Sequence, residues 1–487
     1  GNSAATPVRG IFFADTPGSD NVNVSDVLIT GITNNSSTGA ARGIEIIGGA
    51  SDSDELVSLG PDTLKNILGA IAEAIMARRL ASTTYSNTFI NDVTSTVGGN
   101  GSATAVVIDN STLTGSNTVT ITLSKISGTS SPGGTAKGIS VMGNGQTDVD
   151  ISENTVQDVQ TLPTSNPAAA RGIVVDNVQT ATITGNQVSG VQTQSATGGE
   201  ATGVFIHNSP KQVLINNAIN MIGLIPGVFQ GVINLITTII DENSPSFGLD
   251  RGTSDTVRVD FNTGRVESQN PNITTTCLNL SSPGTVNHVR NNVFANFSPD
   301  QTGSNTHSVI VAPANTSLGA PGSFADRNVY HVRNQGNGIV VRGPTQNHTS
   351  LAGWRTVSGQ DPNSFGHDPQ FVSASDLHIN PSARSPVSNN AVPITGITTD
   401  IDGDPRNPTT PDIGADEGNF TTLLVNDVRP FAFISPVNGQ EFGMNSPSHL
   451  KHRFQIQAQR ISRGSLDASS FRDRLPRPPK CTTRQRH

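Results

Sequence analysis

The heptapeptide DIDGDPR sets Asp400, Asp402 and Asp404 at alternate positions around Gly403, a spacing that offers several carboxylate oxygens to one hard cation such as calcium. A complete calcium loop also needs a bidentate carboxylate, and Asp412, Asp416 or Glu417 supplies it only if the chain folds back. The simpler reading is a turn whose carboxylates cap backbone amides and pair with Arg406. A second pair, Asp148 and Asp150, stands two residues apart and therefore on one face of a strand, with Arg171 and Lys137 about a coil away. Paired carboxylates with a cation are what hydrolysis or elimination on a polysaccharide requires, so Asp148, Asp150 and Arg171 are the catalytic candidates. Alternating aspartates on a solvated strand are the plainer account. Arg9, Arg42, Lys137 and Arg171 each precede a glycine, and a column of such cations attracts an acidic polysaccharide unless neighbouring side chains offset it. With one Trp and two Tyr, aromatic platforms for sugar rings are scarce.

These residues recur in step, which says what must position them. Gly10 (RGIFFAD), Gly43 (RGIEIIG), Ala105 (TAVVIDN), Gly138 (KGISVMG), Gly172 (RGIVVDN) and Gly203 (TGVFIHN) align at intervals of 33, 62, 33, 34 and 31 residues. A second alternating run follows in several repeats, such as VTITLS, VDISEN and ATITGN. A period near 32 with two or three short strands per unit marks a solenoid, in which each coil supplies one layer of a shared core. Alternation turns Ile44 and Ile46, Val106 and Ile108, Ile139 and Val141, and Ile173 and Val175 inward as aliphatic ladders. Asparagines return near the second corner (Asn154, Asn186, Asn216, Asn217, Asn291, Asn292), where they bond neighbouring backbone and accept a left-handed turn.

Two stretches read differently. GPDTLKNILGAIAEAIMARRLAS places Leu64, Ile67, Leu68, Ile71 and Ile75 at helical spacing, with Pro61 at the start and Arg78 and Arg79 at the end. IPGVFQGVINLITTIID has Ile225, Val228, Phe229, Val232, Ile236 and Ile239 on one face. Helical insertions are expected at about 60–81 and 224–241, the first accounting for the 62-residue interval. Both are too short or too polar to span a membrane. Laid along the axis, they would cover an outward apolar column formed by Phe12, Val107, Val174 and Phe205.

The repeats resemble the pectate-lyase-like β-helix family over about residues 5–345. The segment 351–420 resembles the stretch that closes the β-helix in bacterial choice-of-anchor surface proteins. That second likeness rests on Trp354, Gly359, Asp361, Asp368-Pro369, Phe371, Asp376-Leu377-His378, Ser385-Pro386, Asp400 to Arg406, and Asp412 to Glu417. Together they imply an all-β chain, a right-handed parallel β-helix with two short helical insertions, and a bacterial, extracellular or cell-surface location, with no established activity. The expected organisation is β-helix over 1–350 and the closing module over 351–420. The start of an immunoglobulin-like domain follows over 421–445, then a basic, disordered tail over 446–487. No signal peptide is visible, and the first residues read like a middle repeat, as in a piece of a longer chain.

Composition sets the outer bounds. Only 14% of residues are charged and 4% aromatic, an alphabet of short strands and polar corners. The net charge of −8 divides into +8 from His449 onward and −16 before it, a break that marks a separate or disordered segment, with a basic nucleic-acid-binding tail as the lesser reading. Cys277 and Cys481 fit neither a zinc spacing nor a disulfide framework. The expected function is a non-catalytic surface scaffold for adhesion, glycan contact or matrix structure. A polysaccharide lyase or glycoside hydrolase is one alternative, and a component that self-associates through its solenoid ends is another. Calcium is the one cofactor considered, a polysaccharide or surface glycan is the partner class, and neither nucleic acid nor a membrane span is expected.

Overall fold

The computed structural model describes residues 6–14, 21–49, 56–98, 101–164, 168–195, 199–223, 231–239, 256–268, 273–280, 286–299, 306–311, 318, 322–333, 338–343, 345–423, 430–435 and 451–454. Residues up to Leu423 form one unit and those from Leu424 a second. The first is a parallel β-solenoid built on sheets of 12, 10 and 11 strands, in which each strand pairs with its equivalent one coil before and one coil after. The first sheet runs from Val8–Ala14 to Ile339–Arg342, with Asn347–His348 added antiparallel. The second runs from Asn21–Val24 to Phe324–Asp326, and the third from Leu28–Thr30 to Val329–Val332.

The stacking is in register, and it realises the expected ladders. Ile44 pairs with Ile75, Ile75 with Val106, Val106 with Ile139, Ile139 with Ile173, and Ile173 with Val204. Each of these is at most 2% exposed. Burying one such side chain is worth roughly 1.5–3 kcal/mol, and none can be buried without a neighbouring coil.

Both expected helical insertions are corrected. Residues 60–81 fold as strands Thr63–Gly69 and Ile71–Arg78, a coil of the solenoid like any other. Ala74 stands between Gly43 of the coil before and Ala105 of the coil after, so the 62-residue interval is two ordinary ones. The misleading helical spacing has a local cause: Asn66 lies between Leu64 and Ile67 in the left-handed region at φ 56° and shifts the alternation by one residue. Leu64 and Ile67 both point inward at a spacing of three, as they would on a helix. Asp92, Gly128, Asp158 and Gly190 repeat this left-handed step on later coils. In the second stretch Gly231–Ile239 is a strand of the first sheet, paired with Gly199–His207 and Thr274–Leu280. Residues 224–230 and 240–241 lie outside the described residues.

Two members of the outward apolar column, Phe12 and Phe205, are covered by arginines of the first sheet. The Arg9 guanidinium lies 4.2 Å over the Phe12 ring, and that of Arg171 lies 4.0 Å over Phe205. Phe12 remains 46% exposed at the first coil, whose three strands form the outer edges of their sheets.

The corner between second and third sheets holds the asparagines. Asn154, Asn186, Asn217, Asn262, Asn292 and Asn328 form one column of nearly inaccessible side chains. Each Nδ2 from Asn154 to Asn292 donates to Oδ1 of the next at 2.9–3.1 Å, and the same oxygen accepts the preceding residue's backbone N–H. Asn216 and Asn291 instead precede the ladder and make the left-handed turn, at φ 54° and 57°.

The closing module ends this ladder and seals the core. Helix Leu351–Ser358, capped by Ser350 and by left-handed Gly359, inserts Leu351 and Trp354 into the solenoid's hydrophobic core. The chain then runs back along the solenoid. Ile379, Val387, Ala391, Ile394 and Ile413 build a second core with Phe261, Val293 and Val329, which the solenoid turns outward.

In the second unit, Pro430–Ser435 pairs antiparallel with Lys451–Phe454, a strand beyond residue 446 where a disordered tail was expected. The rest of the tail, with Cys481, lies outside the described residues. Cys277 is buried in the first sheet, and burial pushes its thiol well above the usual cysteine range. No helix among the described residues is long and apolar enough to cross a membrane.

Candidate functional site

Asp148 and Asp150 point outward from strand Thr147–Ser152 of the second sheet, both exposed. Their register places Thr118 and Thr120 on the coil before and Thr180 and Thr182 on the coil after. One coil earlier, Ser82 and Thr84 continue both columns. The eight side chains thus form a lattice about 4.8 Å apart between coils and roughly 7 Å along each strand. None of them is buried, and the Thr118 hydroxyl donates to Ser82 Oγ at 3.0 Å. On the following coil Lys211 and Val213 take these positions, while Leu214 points inward and is 0% exposed.

Arg171 and Lys137 are elsewhere. They are adjacent on the first sheet, so the structure does not bring either cation to the two aspartates. Arg171 pairs with Glu200 at 3.0 Å, and Glu200 also accepts the Thr202 hydroxyl at 2.7 Å. Arg42 pairs with Glu45 at 2.5 Å and Glu73 at 2.6 Å, and Arg9 with Glu45. The cation column is therefore offset by carboxylates of its own and neighbouring coils. Lys137 reaches the Ser140 hydroxyl at 3.4 Å, and burial, then Arg171, holds its ammonium below the usual lysine range against the pull of Asp176. On the same face Asp176 and His207 meet at 2.9 Å, a pair that sequence reasoning missed although both stand at one register position of the repeat.

In the closing module the three aspartates of DIDGDPR separate. Asp400 is 6% exposed and spends its oxygens on the backbone N–H groups of Asp402, Asp404 and Glu417. It acts as the turn cap, as the simpler reading had it. Asp404 is exposed. Arg406 pairs not with these carboxylates but with Glu417 at 3.3 Å, stacks 4.1 Å over Phe261, and donates to Asn216 Oδ1 at 3.0 Å. Asp412 caps Asn389 and Gly418, and burial pushes its carboxyl up to about 6.

Asp402 faces a different set of partners. His378 Nε2 lies 2.8 Å from Asp402 Oδ2, while Nδ1 lies 2.5 Å from Asp376 Oδ1. Asp416 completes the group, its Oδ2 accepting the Ile379 N–H at 2.8 Å. One donor atom each from His378, Asp402 and Asp416 lies within 4.8 Å of the others. Burial opposes charge on His378, but its bonds to Asp402 and Asp376 dominate and push the imidazole up to about 9. His378 and its partners lie within the motifs that carry the module's resemblance, yet 24 and 38 residues separate it from Asp402 and Asp416, so the grouping exists only in the fold. Compared with known proteins, the chain matches no family model, no curated protein and no solved structure.

Proposed function

We propose that this chain is an extracellular or cell-surface scaffold that contacts glycan through the outer face of its second sheet, without catalysis. The observation that carries this reading is the lattice of Ser82, Thr84, Thr118, Thr120, Asp148, Asp150, Thr180 and Thr182, held in register by the parallel coils. Hydroxyls donate and accept, carboxylates accept, and a rigid array of both suits a repeating, hydroxyl-rich chain whose groups it meets many times over. The lattice carries two negative charges and no cation, so it favours neutral glycans, or acidic ones bridged by a divalent ion. The resemblance of residues 351–420 to the closing segment of bacterial surface proteins supports the location.

The separation of Arg171 from Asp148 and Asp150 weighs against elimination or hydrolysis at that pair, and the cation that shares their face, Lys211 beside Thr180, stands two coils from Asp148. The test is to incubate the chain with neutral and acidic polysaccharides, with and without calcium, reading unsaturated product, new reducing ends and retention on immobilised glycan. Retention without product, lost in the Asp148→Ala/Asp150→Ala double variant, is the expected result. Product that disappears in the same variant would replace the scaffold with an enzyme, and absence of both signals on every glycan would remove the glycan reading.

A further inference from the structure

We propose that His378, Asp402 and Asp416 form a binding site for one divalent first-row cation such as Mn2+ or Zn2+ on the closing module. The donor set is mixed, one imidazole nitrogen and two carboxylate oxygens, drawn from three segments that meet only in the folded module. Imidazole beside carboxylates suits manganese or zinc better than calcium, which takes six to eight oxygens. This site is distinct from the calcium loop the sequence suggested, because Asp400 is consumed by backbone amides and only Asp402 of that triplet reaches it.

Each ligand is held from behind. Asp376 engages Nδ1 of His378 and thereby turns Nε2 toward Asp402, the carboxylate–histidine arrangement that orients metal-binding imidazoles. Asp416 is anchored through Oδ2 to the Ile379 amide, and Asp402 through its own amide to Asp400. His378 and Asp402 are 48% and 43% exposed, so an ion enters from solvent and keeps waters in its remaining positions. A bound cation would tie the returning segment at 376–379 to the turn at 400–404 and to the end of the module at 416.

The test is calorimetric titration of the metal-stripped full chain with MnCl2, ZnCl2 and CaCl2. One equivalent of manganese or zinc is expected to bind more tightly than calcium. His378→Ala and Asp402→Asn should each weaken that binding at least tenfold, and Asp404→Asn, on the exposed side of the same turn, should leave it unchanged. Pulsed electron paramagnetic resonance of the Mn2+-loaded wild-type chain needs no variant and should show nitrogen coupling from one imidazole. Failure to bind at millimolar metal, binding indifferent to His378→Ala and Asp402→Asn, or bound manganese without nitrogen coupling would each reduce the group to an ion-pair hub.

Discussion

Asp361 shows how much one side chain decides here. It is 0% exposed and accepts from Asn328 Nδ2, the Tyr330 hydroxyl, Trp354 Nε1 and Ser364 Oγ at 2.7–3.1 Å. Asp361→Ala removes an acceptor from all four, of which Asn328 Nδ2 keeps the Val289 carbonyl, and each buried donor left unpaired costs about 1–3 kcal/mol. Loss of at least ~3 kcal/mol in denaturant unfolding is expected, with a red shift in the fluorescence of Trp354, the only tryptophan in the chain. His307 sets a pH dependence at the same scale. Burial pushes it down from 6.5 to about 4 while its Nδ1 shares a hydrogen bond with Thr275 at 2.8 Å. Its folded value lies below the unfolded one, so the stability it contributes is present above pH 6.5 and is lost as pH falls toward 4. Urea midpoints measured from pH 7 to 4 should fall less steeply in His307→Gln than in wild type.

At the scale of the element, the strand Thr63–Gly69 tests the correction of the first helix. Ile67 is 0% exposed inside the solenoid, so Ile67→Ala should cost about 2–5 kcal/mol, measured by denaturant unfolding. A cost below ~1 kcal/mol would return the stretch to a surface insertion. What the sequence concealed at this point was one dihedral angle. Leu64, Ile67, Leu68 and Ile71 follow a helical period in letters, and only the left-handed Asn66, imposed by pairing with Asp92 and its neighbours on the next coil, converts that spacing into two inward strand residues. Pairing on both sides contributes backbone hydrogen bonds along the whole strand and overrides a local helical preference of a few tenths of a kcal/mol per residue. The asparagine column was open to sequence reading because asparagine is a common left-handed and corner residue. Asn262 and Asn328 escaped it because the coils around them depart from the regular repeat.

At the scale of the molecule, the closing module and the solenoid contribute side chains to both hydrophobic cores. Phe261, Val293 and Val329 are buried against module residues such as Ile379, Val387 and Ile394, and the last ladder amide, Asn328, is satisfied by Asp361. A chain ended at residue 350 is therefore expected to expose an apolar strip and an unpaired sheet end and to associate, seen as species larger than monomer in analytical ultracentrifugation. The intact chain should not do so to the same degree.

By itself the sequence determined the solenoid: a period near 32, alternating aliphatic runs and recurrent corner asparagines allow no other burial, because no coil can cover its own inward face. It also marked the chemistry-bearing residues of the module, since Asp376, His378, Asp402 and Asp416 all stand in its most distinctive motifs. Only the tertiary structure decided which of them meet. Register put Asp148 and Asp150 among threonines and Arg171 on another sheet, and the fold-back of residues 371–417 carried His378 to Asp402 and Asp416. Periodicity is a property of neighbours along the chain, whereas a site is a property of distances that chain reversal sets, and no local pattern encodes those.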